Sequence, residues 1–157
     1  MALFFANQKC PLCQKEMDDI AHLFAFQAFI SNTLDPFYPF NDSVFHLECL
    51  KEHPLGNRAI KFADQFFFST HRENRICIVG KNIIKNFEDY IFIDLLTSDE
   101  QEALYKFNFI TLDRNNLEGW TDRSKFIATA TKFKEENKWG DLSDFKYLDY
   151  LIEIISQ

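Results

Sequence analysis

Three of the four cysteines and one histidine fall into two short pairs, Cys10-Pro11-Leu12-Cys13 and His46-Leu47-Glu48-Cys49, with residues 14–45 between them. Zinc takes four nitrogen or sulfur ligands in a tetrahedron, and a C-x2-C turn lets two thiolates converge on one ion from a tight backbone knuckle. In the second pair the ligands are three apart, the spacing that puts two side chains on one helix face. Asn41-Asp42-Ser43 supplies capping side chains for that helix, and Val44, Phe45, Leu47 and Leu50 follow in a helix-compatible pattern. Cys10, Cys13, His46 and Cys49 are therefore expected to hold one zinc ion. A redox dithiol at Cys10 and Cys13 would leave the H-x2-C pair without a purpose. His53 is the rival ligand, four residues past Cys49, but Pro54 follows it and ends the helix. His22 and His71 have no cysteine neighbours.

Four protein ligands close the coordination shell and leave no position for an activated water. The expected role of the ion is structural: loss of a ligand should unfold the N-terminal lobe rather than abolish a reaction. This knuckle-plus-helix arrangement resembles the treble-clef zinc fingers, and its three-Cys, one-His set is similar to part of the LIM-type and RING-type ligand pattern. The resemblance spans residues 8–53 and rests on Cys10, Cys13, His46 and Cys49. It implies a knuckle and hairpin carrying one ligand pair and a helix start carrying the other. The gap between pairs is longer than a compact LIM-type half-site, and there is no second ligand set for a RING-type crossbrace.

The start of the chain lacks a positive segment followed by a long apolar stretch, so it does not read as a secretory signal. No run reaches the roughly 20 apolar residues of a membrane helix. A cytoplasmic location is expected, where reduced thiols favour metal over disulfide. The balance of 24 acidic and 17 basic residues, net −7, argues against broad attraction to nucleic acid or to anionic membrane. With 19 Phe and few Gly or Pro, the chain must bury a core rich in aromatic rings.

The expected architecture is α+β, with a zinc lobe over residues 1–56 and a body over 57–157 that packs a small sheet with C-terminal helices. Residues 19–30 read as a hairpin or extended segments before the ligand helix, or as a short helix. A helix is expected over 57–72, then strands at 76–79, 90–96 and 107–112. Ser98, with Asp99, Glu100 and Gln101 after it, signals a helix running to about residue 107. Two further helices are expected over 122–137 and 142–155, the last with Phe145, Leu148, Leu151, Ile152 and Ile155 on one stripe. Cys77 lies in a strand and reads as a buried, inert thiol. Trp120 and Trp139 read as core side chains.

No phosphate-binding glycine loop, G-x-S-x-G elbow or HExxH is present. The leading expectation is a noncatalytic, zinc-stabilised interaction protein, such as a bacterial immunity or accessory protein. Its acids Glu88, Asp89, Asp94, Asp99, Glu100 and Glu102, uninterrupted by Lys or Arg, would face a basic protein partner. One alternative is a nucleic-acid-associated zinc protein using His71, Arg72, Arg75, Lys81 and Lys85 as a basic strip. Another is a metal-dependent hydrolase pairing Asp94 with Asp113.

Overall fold

The computed structural model describes residues 4–5 and 7–157, and those residues form a mixed helical and antiparallel β structure. Two short strands, β1 (Leu23–Ala25) and β2 (Val44–His46), pair antiparallel with Phe24 opposite Phe45. β2 runs straight into α1 (Leu47–Glu52), and α2 (Gly56–Thr70) follows after a tight turn. Farther on, β3 (Tyr90–Ile93) pairs antiparallel with β4 (Ile110–Asp113), and α3 (Arg123–Glu135) packs on α4 (Tyr147–Ser156).

Two hydrophobic clusters organise these elements. The first is aromatic: Phe26 sits at the centre of the Phe24, Phe29, Phe40 and Phe45 rings, and Phe37 packs edge-on against Phe62 of α2. Packing crosses residue 56, because Ala59, Phe62 and Ala63 of α2 and Leu95 after β3 complete this cluster. The second gathers Ile91, Ile93 and Leu112 of the β3–β4 ladder with Phe126, Ala130 and Phe133 of α3 and Leu148, Leu151, Ile154 and Ile155 of α4. Trp120 and Trp139 are buried in it, and the Trp139 indole N–H donates to Asp141.

Short polar clasps tie the two clusters together. Ile30 forms a parallel bridge with Leu95, and the buried Asp35 carboxylate accepts the Ser98 N–H at 2.7 Å. The buried Asn32 amide donates to the Lys138 carbonyl at 2.9 Å and accepts the Gly140 N–H at 3.0 Å. Gly140 is required there, since a Cβ would stand 2.2 Å from the Thr33 hydroxyl and 3.0 Å from Leu34.

Several elements differ from the sequence expectation, each for a local reason. Asn41-Asp42-Ser43 is a turn and not a helix cap: the Asn41 amide accepts the N–H groups of Phe29 and Ile30 and donates to the Ile30 carbonyl at 2.6 Å, and Asp42 takes a left-handed φ of 47°. The ligand helix consequently begins at Leu47. Residues 19–30 hold a short 3-10 turn and β1, in keeping with the extended reading. Residues 98–104 are turns, ending in a 3-10 turn over Tyr105–Phe107. There Thr97 and Asp99 accept the N–H groups of Asp99 and Gln101, and the Asn108 amide closes the loop onto Leu96 and Thr97. Side chains that bind nearby N–H groups in this way compete with a helix. The strand expected at 76–79 is reduced to one bridge, Ile76 to Ile83. Finally, α4 starts at Tyr147, so Phe145 stays exposed.

Candidate metal centre

Cys10 and Cys13 occupy a knuckle made by backbone geometry. Gln14 N–H reaches the Cys10 carbonyl at 2.8 Å, Cys10 N–H reaches the Lys15 carbonyl at 2.9 Å, and Gln14 takes a left-handed φ of 62°. Beyond the turn, Lys9 and Glu16 form an antiparallel bridge. The second pair comes from the junction of strand and helix: His46 ends β2 and is the N-cap residue of α1, and Cys49 lies in the helix's first turn. As N-cap, His46 makes no side-chain hydrogen bond to the helix. Its ring is committed elsewhere.

The ligand atoms of Cys10, Cys13, His46 and Cys49 all lie within 4.8 Å of one another. The His46 Nδ1 is 3.3 Å from the Cys13 sulfur and 3.8 Å from the Cys49 sulfur. Two ligands of a tetrahedral zinc, one sulfur and one nitrogen, stand about 3.6 Å apart given ordinary bond lengths. The cluster therefore fits a three-Cys, one-His zinc site. On the far side of the ring, His46 Nε2 lies 3.2 Å from the Glu16 carbonyl. That contact assigns the proton to Nε2, aims the Nδ1 lone pair at the sulfurs and raises its basicity. Glu16 belongs to the knuckle's own bridge, so the first ligand pair orients a member of the second.

Electrostatics point the same way. Burial pushes the Cys10 thiol up, but the N–H groups of Cys13, His46 and Leu12 outweigh it and bring the thiol down to about 7. Burial, reinforced by the Cys13 and Cys10 sulfurs, pushes the Cys49 thiol up to about 11. The neighbouring sulfurs thus oppose ionisation of Cys49, a repulsion that a bound dication would offset. Cys10 is fully buried, whereas Cys13 and Cys49 line a small cavity of 310 Å³ together with His53. His53 does not join the cluster. Its ring packs edge-on against Phe40, and its Nδ1 accepts the Leu55 N–H at 3.2 Å.

The other candidate residues are placed as follows. Asp94 follows β3, whose last residue Ile93 faces Ile110, while Asp113 faces Tyr90 at the opposite end of the same ladder. The register thus separates the two carboxylates that were expected to pair. Asp94 is buried and accepts the Ser31 hydroxyl at 2.5 Å, while its Oδ1 has no partner among the described residues. Burial raises its carboxyl to about 7, against a smaller lowering by Ser31. Asp113 accepts the N–H and side-chain amide of Asn115. Cys77 is buried, as its strand-like context implied, and its sulfur accepts N–H groups from Gly80 and Asp113 and the Asn116 amide.

The acidic stretch is not one uniform face. Asp94 is interior, Glu102 is bound to Lys138 at 2.7 Å, and Glu100 lies 3.4 Å from Arg58. Asp99, Glu100 and Glu102 line a cleft of 890 Å³ together with the exposed Leu34. Sequence reasoning missed this cleft, because its walls come from residues 32–37, the start of α2, the loop after β3 and the end of α3 with Asn137 and Lys138. A second recess of 510 Å³ lies beside Ser31, Phe145 and Tyr147. No described helix is long and apolar enough to cross a membrane. Comparison with protein-family models, with curated proteins and with solved structures finds no match to this chain.

Proposed function

We propose that the chain is a noncatalytic protein-interaction module whose N-terminal lobe is held in shape by one structural zinc ion. The observation that carries this reading is the completeness of the cluster: four protein ligand atoms surround one point, and the only imidazole among them is oriented by the Glu16 carbonyl. Such a site offers the ion no open position for water or substrate. The order of knuckle, short hairpin and helix start supports the treble-clef-like reading of the lobe. The test is metal analysis of the purified chain: one zinc per chain is expected, and Cys10→Ser or Cys49→Ser should lose it. Full zinc content in either variant would overturn the ligand assignment.

The partner in this reading is a protein with a basic surface, as for an immunity or accessory protein. Its support is the cleft, where Asp99 and Glu100 stand exposed beside Leu34, a polar rim next to an apolar contact. Tagged chain expressed in its native host should retain a specific partner. Glu100→Lys together with Asp99→Lys should lose it while keeping the zinc, and retention of the same partner by that variant would sink the assignment of the cleft.

A further inference from the structure

One face of the molecule is apolar, basic and claimed by neither hydrophobic cluster. Phe67 and Phe68 at the end of α2, the bridged pair Ile76 and Ile83, and Phe87 are exposed by 49% to 76%. None of the five belongs to either core, so their exposure is unexplained by packing within the chain. Their continuity is built by Arg75. Its guanidinium donates to the Thr70 carbonyl at the end of α2 and lies 4.6 Å over the Tyr90 ring, and that ring is 6.3 Å from Phe87. The Arg75 carbonyl also accepts the Ile84 N–H, which holds the Ile76–Ile83 bridge beside the helix end.

Charge follows the same face. From His71 to Phe87 there are four basic residues and one acid, Glu73, in a chain of net charge −7. Glu88 and Asp89 border it, the latter engaged by the Asn86 amide. Elsewhere Lys51, Arg58, Lys106, Lys132, Lys134, Lys138 and Lys146 have carboxylate partners. Arg72, Lys81 and Lys85, all exposed and lying together in residues 72–85, have no carboxylate partner among the described residues, as is also true of Lys61 and Lys125 outside this face.

We infer that this face docks on an anionic lipid surface, with Phe67, Phe68, Ile76, Ile83 and Phe87 entering the headgroup boundary and Arg72, Lys81 and Lys85 meeting the lipid phosphates. Exposed aromatic and aliphatic side chains flanked by cations are the combination that binds such an interface. A second copy meeting the face symmetrically would set like charges against each other. Single-stranded nucleic acid needs aromatic platforms in a charged groove, and two of the five side chains here are isoleucines. A bound peptide seats its side chains in recesses, but none of the three cavities described above is lined by these residues. A plane of headgroups needs no recess.

The test is co-sedimentation of the zinc-loaded chain with vesicles of phosphatidylglycerol and phosphatidylcholine at low salt. Binding is expected, falling as salt is raised. Phe68→Ser and Phe87→Ser should each weaken it roughly tenfold, and Lys81→Glu with Lys85→Glu by at least roughly tenfold. All these positions are exposed, so an unchanged near-ultraviolet circular dichroism spectrum will show that the fold is kept. Leu142→Ser, an exposed apolar residue outside the face, should bind as the parent does. The inference is overturned by no binding to anionic vesicles, by equal binding to pure phosphatidylcholine, or by variants that bind unchanged. It is also overturned if the same residues instead mediate self-association in light scattering or binding of an oligothymidine probe.

Discussion

The two hydrophobic clusters solve the same problem with different materials. The N-terminal one is built on three-residue strands and a six-residue ligand helix, elements too short to persist by their own hydrogen bonds, and it gathers ring on ring around Phe26 beneath the cysteine–histidine cluster. The C-terminal one rests on the 13-residue α3 and 10-residue α4, whose aliphatic faces cover a four-residue ladder. A metal ion held by the cysteine–histidine cluster would supply what these short elements lack. Regular elements that bury a broad face can stand on packing, whereas a loop-rich aromatic lobe needs a covalent or coordinate tie at its open end.

The sharpest way to break this contrast is to remove the tie. Chelation or Cys10→Ser should raise amide exchange across residues 8–63 by several orders of magnitude, while α3 and α4 keep most of their protection. Equal loss in both regions would show one cooperative unit instead of two. Next in size, Phe126→Ala at the wholly buried centre of the second cluster should cost about 3–5 kcal/mol in urea unfolding. That loss should be the same whether or not chelator is present.

The border between the clusters offers a pH-dependent test. Asp94 keeps its proton to about pH 7 in the folded chain, against an ordinary value of 3.8. The folded state then binds more protons than the unfolded state between those values, so this group lowers stability as pH rises from about 4 to 7, and the cost is level above that. Asp94→Asn, which preserves an acceptor for Ser31, should stabilise the chain by on the order of 4 kcal/mol at pH 8 and by almost nothing at pH 4. Thermal melts at both values check it. A smaller effect is expected across the nearby clasp: Asp35→Ala strands the buried N–H groups of Phe37 and Ser98 and should cost roughly 1–3 kcal/mol. Smallest of all, Lys51→Ala removes an exposed pair with Glu48 on the ligand helix, for which a change under about 0.5 kcal/mol is expected.

What could be read from the residues alone followed the same division. The clustering of Cys10, Cys13, His46 and Cys49 was legible because metal chemistry restricts both residue type and spacing, and α2 and α4 because their apolar periods are regular. The ligand helix's true start was hidden, since Asn41, Asp42 and Ser43 have the composition of a cap and the Asn41 amide instead binds residues 29 and 30, far back along the chain. The helix signal at Ser98 failed for a related reason. Asn108 and Asp35 claim backbone groups of residues 96–98 from a distance, and no local pattern announces that. The Asp94–Asp113 pair failed on register: Asp94, expected inside a strand, follows the end of β3, and the antiparallel ladder sets Asp113 at the opposite end.

The Asn32 amide links residue 32 to residues 138 and 140, across sequence separations of 106 and 108. During synthesis the N-terminal lobe will already have left the ribosome, able to gather its rings and its cysteine–histidine cluster, while the segment that seals its edge has yet to be made. The floor of the large cleft is thus the last part of the molecule to close, and closure over so long a loop is the step expected to set the pace of folding.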